Sequence, residues 1–312
     1  MLRRFLAPVA AAALVLTASA CGSQDTASPA AKSDEKISVK HAQGTTEVTK
    51  NPSKVVVLDY AVLDNMRALG VSENVIGVPT KTLPKFMDEF KDKDNVGTLK
   101  EPDVEKIAEL EPDVILIGGR TAEKYEDLNK VAPTVDLSND SKDFLGSLEK
   151  NAGIVAEMYG KSDEVKAQMD EVTKALDETK TAAKGAGKGL VLLTSGGKLS
   201  AYGPGSRFGI IHEQMGVTPA AKDLKVDNHG QAVSFEFISS TNPDRMFVID
   251  RDAATGQGGN SAQKVLDNAL VNKTKAAQDK KITYLDGSRW YLLGTGLDNT
   301  VEMADEIKKG LA

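Results

Sequence analysis

The chain predicts an α/β protein of two lobes, each built on a mostly parallel sheet, joined by one long α-helix. Three observations predict it. Residues 104–120 (VEKIAELEPDVILIGGR) and 235–251 (FEFISSTNPDRMFVIDR) are one motif written twice, 131 positions apart. They match without a gap at Glu105/Glu236, Ile107/Ile238, Pro112/Pro243, Asp113/Asp244 and Arg120/Arg251. Apolar strand runs alternate with helical patterns in both halves of the chain, the mark of a parallel sheet. Between residues 141 and 185 the pattern turns helical throughout.

In order, residues 54–59 (KVVVLD) are a β-branched strand run ending in an acid, followed by a helix through Met66 and Leu69 that stops at Gly70. Val75–Val78 is the next strand. Val104–Leu110 is a helix, Pro112 and Asp113 a turn, and Val114–Ile117 a continuous apolar run, hence a strand buried on both faces. Val165, Met169, Val172, Leu176 and Thr179 recur at spacings of four and three, which makes a helix of ~20 residues and ~30 Å. Ser162 or Asp163 is placed to cap its start, and Gly185 and Gly187 end it. Residues 190–194 (LVLLT) restart the strand pattern, and 210–217 (IIHEQMGV) echo 65–71 (NMRALGV). The expected division is an N-terminal lobe at 37–160, a bridging helix at 161–185 and a C-terminal lobe at 186–312.

The chain begins with Arg3 and Arg4, a short apolar stretch over 5–16, and Ala18, Ser19 and Ala20 before Cys21. That is the layout of a secretory signal peptide over 1–20, too short in its apolar part to span a bilayer. Cys21 is the only cysteine, so no disulfide forms within one chain. Its setting resembles the lipobox of bacterial lipoproteins, with Ala18 where that pattern usually has leucine. Residues 21–36 are polar and small, a flexible tether. The formal net charge is −6, and loss of Arg3 and Arg4 on export leaves the chain more acidic still, which argues against a nucleic-acid partner. The glycine clusters at 256–259 and 294–296 lack the Walker lysine and the spacing of a dinucleotide loop, so nucleotide binding is set aside.

Ligands of open α/β sheets bind outside the carboxyl ends of strands. Arg120 and Arg251 sit at equivalent strand ends, so two lobes would aim one cation each at a shared cleft, and the ligand would be an anion. Arg207 follows a Gly-Pro-Gly-Ser turn that holds it out of a core. Of His41, His212 and His229, only His229 falls in a loop away from both the tether and a helix of the repeat. Glu105 and Glu236 open their repeat helices, where an acid stabilises the helix dipole by ~0.3–1 kcal/mol. Trp290, Tyr291 and Tyr60 complete the candidates; core packing is the default for Tyr60.

Three segments, GGRTAEKYEDL (118–128), YGPGSRFGIIHEQMGV (202–217) and HGQAVSFEFI (229–238) with its later partner WYLLGTGLDNT (290–300), carry a family likeness. The chain resembles the substrate-binding proteins of bacterial ABC importers for iron-siderophores and cobalamin, with two Rossmann-like lobes bridged by one long helix. The nearest likeness is to receptors for ferric catecholate siderophores. The resemblance implies that Arg120, Arg207 and Arg251 face a ferric tris-catecholate of charge three negative; Trp290 and Tyr60 are then candidate aromatic walls for its catechol rings. It implies that His229 and Tyr291 complete the iron coordination when a tetradentate siderophore leaves two sites open, and make only outer contacts when the siderophore is hexadentate. It further implies that Glu105 and Glu236 dock, one per lobe, into arginine pockets of the two permease subunits. The expected protein is a monomeric, non-enzymatic receptor without an intrinsic cofactor, anchored through a lipid on Cys21 to the extracytoplasmic face of the cell membrane. Its partners are the ferric siderophore and an ABC permease dimer with its ATPase. Haem or cobalamin are the competing ligands within the same class. An exported hydrolase using Ser195 and His229 is the remote alternative, because the G-x-S-x-G elbow is missing around Ser195.

Overall fold

The computed structural model describes residues 35–227 and 229–312. The expected signal peptide, Cys21 and all but the last two residues of the expected tether lie outside the described residues. The described chain opens on a β-hairpin, β1 Lys36–His41 and β2 Gly44–Thr49, that the strand-helix alternation did not announce. Ile37, Val39 and His41 point inward from β1 with exposed residues between them, so the hairpin packs one face as period-two alternation requires.

The first lobe runs β3 Val55–Val57, α1 Tyr60–Ala68, β4 Val75–Val78, β5 Asp94–Asn95, α2 Val104–Leu110, β6 Val114–Ile117, α3 Tyr125–Asn129 and β7 Thr134–Asp136. Its strands form one parallel sheet in the order β5-β4-β3-β6-β7. All of β3 and β6 is buried, as continuous apolar runs demand. Asp59 ends the β3 run and caps α1, its carboxylate accepting the amides of Ala61 and Val62. Helix α4, Phe144–Tyr159, leads into α5, Ser162–Ala182, the expected long helix of 21 residues. Its cap differs from the expectation. Lys161 occupies the N-cap and makes no capping bond, because its ammonium has no acceptor to offer a backbone amide; Asp163 and Glu164 fall inside the first turn, where they favour the dipole and where Glu164 pairs with Lys161 at 2.8 Å.

The second lobe runs β8 Lys188–Ser195, β9 Lys198–Tyr202, α6 Ile210–Glu213, β10 Thr218–Pro219, β11 Gln231–Val233, α7 Phe235–Thr241, β12 Arg245–Asp250, α8 Arg251–Ala254, α9 Ala262–Leu266, α10 Lys275–Gln278, β13 Ile282–Leu285 and α11 Leu297–Leu311. Its sheet has the order β11-β9-β8-β12-β13, with β10 beside the start of β8. β12 lies parallel to β8 and β13, while β9 runs antiparallel to β8 and β11. The antiparallel half comes from Gly196 and Gly197, both at positive φ (56° and 72°), which fold β8 straight back into β9 as a two-residue hairpin.

The duplicated motif is duplicated in structure. α2 and α7 each have seven residues, end on a left-handed residue (Glu111, φ 48°; Asn242, φ 42°) and bury Ile107 and Ile238 completely. The matched aspartates do the same work in each lobe. Asp113 accepts the Lys54 amide at 3.0 Å beside β3, and Asp244 accepts the Lys188 amide at 2.7 Å beside β8. Each therefore ties the start of its own strand to the neighbouring one.

The lobes are joined by more than α5. Helix α11 packs along both α5 and α1, and Thr179 of α5 donates to the carbonyl of Ala304 at 3.0 Å. The amino end of α11 is capped by side chains of the other lobe: Asn65 accepts the Leu297 amide and Asp64 accepts the Asn299 amide, both at 3.0 Å. Gly296 stands at φ 112°, and a Cβ there would lie 2.5 Å from an oxygen of Asp64, so only glycine allows this approach. Arg67 bonds the second oxygen of Asp64 at 2.7 Å and also reaches Asp298.

Burial pushes the Asp64 carboxyl up to about 6, against the pull of the Asn299 amide and Arg67. The folded chain thus holds this proton more tightly than the unfolded chain, whose aspartates titrate near ~3.9. Stability from Asp64 is therefore full below pH ~4 and is lost as pH rises through about 6. Urea denaturation from pH 4 to 7 should show Asp64→Asn gaining on the wild type with rising pH, by on the order of 1–3 kcal/mol across the window. A pH-independent difference would contradict the assignment.

Candidate functional site

In each lobe the chain reverses direction across its sheet beside the first strand. In the first lobe the order turns between β3 and β6; in the second it turns between β8 and β12. A crevice opens at such a switch point, outside the carboxyl ends of the two strands. Arg120 follows β6, Ser195 ends β8 and Arg251 follows β12, so the repeat delivers its two arginines to these crevices. Gly118 is needed on the way, since a Cβ there would lie 2.2 Å from an oxygen of Asp59. The crevices share a cavity of about 750 Å³ lined by Arg120, Arg207, Arg251, Tyr291 and His229, with Lys100 and Lys198 beside them.

Tyr291 organises the cations. It sits in a π-helical turn, Ser288–Leu293, closed by the Gly294 amide on the carbonyl of Arg289 at 2.9 Å. The wider turn leaves the carbonyls of Tyr291 and Leu292 open to side chains. Arg120 reaches across from the first lobe and donates to both carbonyls, at 2.9 Å for Leu292. Arg207 donates to the Tyr291 carbonyl at 2.9 Å, and Arg251 donates from Nε to the Tyr291 hydroxyl at 3.0 Å. The three guanidinium carbons lie 5.5, 4.7 and 5.5 Å from the Tyr291 ring centre. One residue thus receives three cations, through its carbonyl, its ring and its hydroxyl. Arg251 is further held by Ser195 Oγ at 2.9 Å and Gln257 at 3.3 Å.

The electrostatics follow from this packing. Burial pushes the Tyr291 phenol up, but the hydrogen bond from Arg251 and the charges of Arg251, Arg207 and Arg120 outweigh it and bring the phenol below its usual range. Burial and then the nearby Arg120 charge lower the pKa of Arg207. Both effects mark a site short of negative charge. An arriving anion would find donors already aimed and would relieve repulsion among them.

Arg120, Arg207, Arg251, His229 and Tyr291 line the one cavity. His229 is exposed there, its backbone amide bonded to Asp227 at 2.9 Å. Trp290 is a correction: it is fully buried and donates its indole N–H to Glu306 at 2.7 Å, so it packs the core. Consecutive residues of a helical turn point roughly 100° apart, and the turn that brings Tyr291 to the cleft carries Trp290 away from it. Tyr60 is core, its hydroxyl bonded to the Pro79 carbonyl at 2.6 Å. His41 and His212 are buried and bonded to Thr46 and the Val217 carbonyl, away from the cavity lining. Glu105 and Glu236 are exposed at the starts of α2 and α7, outside the cavity lining. Cys21 lies outside the described residues. Among the described residues no group of three or more His, Cys, Asp or Glu side chains is arranged for a metal.

Asp59, Lys100, Lys198 and Asn139 line the cavity without having been expected there. Two of them carried a signal: Asp59 ends a strand run at the switch point, and Lys198 directly follows a Gly-Gly hairpin turn. Asn139 also bridges the lobes, donating to Thr295 Oγ1 at 3.0 Å.

Residues 55–288 match the family described as periplasmic binding protein. The petrobactin-binding protein YclQ of Bacillus subtilis is 42% identical over 299 residues, covering 94% of each chain. Its crystal structure superposes with a TM-score of 0.87 at 41% identity, over 89% of this chain and 99% of that one. The ferric-anguibactin-binding protein FatB of Vibrio anguillarum is 29% identical over 282 residues, 88% of this chain and 87% of its own. The crystal structure of the periplasmic catecholate-siderophore binding protein VctP from Vibrio cholerae superposes at 0.81 with 27% identity, over 88% of this chain and 100% of that one.

An ultraviolet difference titration should resolve one tyrosine ionising below the usual phenol range, lost in Tyr291→Phe. Tyr60 and Tyr202, each pushed up to about 12 by burial, would not contribute there. An unchanged early phase in Tyr291→Phe would contradict the guanidinium-phenol geometry.

Proposed function

The chain belongs to the periplasmic binding protein family, and from that premise we propose that it is an extracytoplasmic receptor that captures an anionic ferric siderophore of catecholate type and delivers it to an ABC permease for iron uptake. The observation that carries this reading is the meeting of Arg120, Arg207 and Arg251 around Tyr291 in a cavity between two lobes. The petrobactin, ferric-anguibactin and catecholate-siderophore binding of YclQ, FatB and VctP supports the same reading. The protein is a binding protein and not an enzyme; iron enters as cargo inside its siderophore and no intrinsic cofactor is required.

Capture follows from charge. Guanidinium donors match the oxygens of a catecholate, and their charge is fixed at any physiological pH. The ferric complex brings three negative charges when three catecholates bind the metal, which three arginines neutralise without taking up a proton. Where the siderophore is tetradentate, His229 and Tyr291 fill the open positions on iron. Tyr291 suits this role because its arginine neighbours already favour the phenolate, and a hard oxygen donor suits ferric iron.

Delivery uses the other repeated pair. Glu105 and Glu236 stand exposed on equivalent helix starts, one on each lobe, and in this reading each meets an arginine pocket on one permease subunit. Residues 37–160 and 186–312 act as the two lobes with 161–185 as bridge. The lipid on Cys21 holds the monomeric receptor at the membrane. No helix among the described residues is long and apolar enough to cross a membrane.

Arg251→Ala should weaken binding of a ferric catecholate by about 1.5–3 kcal/mol in a Trp290 fluorescence titration, the range for a charge-assisted bond. Glu105→Ala should leave that affinity unchanged and reduce iron uptake by cells; a loss of affinity in Glu105→Ala would overturn its docking role. His229→Ala should reduce affinity for a tetradentate ferric siderophore by roughly tenfold, one lost hydrogen-bond-scale contact, and spare a hexadentate one. Equal losses for the two would remove His229 from the iron.

A further inference from the structure

One buried acid beside the cleft has no part in the capture just described. Asp252 follows Arg251 in α8, is 6% exposed and does not line the cavity. One of its oxygens accepts the Gly196 amide at 2.6 Å; the other lies 3.6 Å from Arg251 and 3.5 Å from Ser195 Oγ, which itself accepts from Arg251. The carboxylate therefore stands behind the cation of the second lobe and grips the hairpin turn that carries Ser195 and Lys198 to the cavity.

The repeat shows that the scaffold does not demand an acid here. In the ungapped register that pairs Arg120 with Arg251, the partner of Asp252 is Thr121. Thr121 is fully buried and ties its loop down with a neutral hydroxyl, donating to the carbonyl of Leu99 at 3.0 Å. Both positions anchor the segment after the strand, yet only the second lobe does so with a charge. Among the described residues, Arg120 and Arg207 form no close ion pair, although the buried Asp59 of the first lobe lies within electrostatic reach of Arg120, whereas Arg251 pairs with Asp252 at 3.6 Å.

We propose that Asp252 is a specificity-determining positioning residue of the cleft, tempering the Arg251 charge so that the hold on an anion is weakened in proportion to the anion's own charge. This rests on the ferric siderophore reading above. Coulomb energy is linear in the ligand charge, so the buried carboxylate opposes a trianion three times as strongly, in free energy, as a monoanion. A receptor that must hand its cargo on gains from such a limit, because a cleft of unopposed cations would release a trianion slowly.

The test uses two probes, a hexadentate ferric tris-catecholate with three negative charges and a tetradentate ferric bis-catecholate with one. Affinities are measured by fluorescence quenching for wild type, Asp252→Asn, Asp252→Thr and Asp252→Glu, with thermal melts to confirm folding. Removing the charge, in whichever of Asn or Thr folds as the wild type does, should tighten the monoanion about twofold and the trianion roughly tenfold, with a steeper loss of trianion affinity in salt. Asp252→Glu, which keeps the charge, should retain the wild-type ratio between the probes. A purely structural role would loosen Arg251 and weaken both probes, or shift them without steepening the salt dependence of the trianion, and either result overturns the inference while the receptor reading stands. Wild-type protein that binds neither probe overturns both.

Discussion

Like charges brought together must be paid for by fixed partners, and that constraint shapes this molecule. Arg120 and Arg207 donate to the same carbonyl oxygen of Tyr291. Two donors on one acceptor lie within ~6 Å of each other, where unit charges repel by about 3 kcal/mol at an effective dielectric constant of ~20. The pair persists because the π-helical turn exposes carbonyls to guanidinium donors and because the Tyr291 ring lies among all three cations. Arg251, the third, is held separately by the phenol, Ser195 and Gln257. The site is thus set for an anion before one arrives, and little reorganisation is asked of it on binding.

The same turn is where the two lobes meet. Arg120 binds its carbonyls from the first lobe, Asn139 bonds Thr295 just beyond it, and Asp64 and Asn65 cap the helix that follows. One segment of the second lobe, residues 288–300, therefore both organises the cations and fastens the lobes. Together with α5, the packing of α11 gives two helical connections between the lobes where the sequence led to one. Lobe motion that separates the cleft must break the Arg120 contacts, so ligand capture and lobe arrangement share the same hydrogen bonds.

Much of this was legible in the chain because it obeys local rules. The repeat exposed α2, β6, α7 and β12 and placed Arg120 and Arg251 at strand ends, and heptad-like spacing disclosed α5. What escaped has no local signature. The carbonyls of Tyr291 and Leu292 act through backbone, which any residue supplies. The bond between Asp64 and the Asn299 amide joins positions 235 residues apart, beyond any periodic pattern. Trp290 turns into the core although Tyr291 faces the cleft, because neighbouring positions on a turn diverge, and the sequence of residues 290–293 gives no phase for that turn. The Gly196 and Gly197 hairpin was different: its signal stood in the sequence, and the alternation of strand and helix around it hid the fold-back that carries Lys198 to the cavity.

Ligand selection by this protein comes down to whether the guanidinium cluster recognises the charge of a ferric complex. The direct measurement is a paired titration of the purified protein with one catecholate siderophore in its ferric and its iron-free forms, followed by Trp290 emission and by isothermal calorimetry. The ferric form should bind saturably and one-to-one, more weakly as salt is added, and the iron-free form should bind much more weakly. Equal affinity for both forms, or salt-independent binding of the ferric form, would contradict recognition by charge.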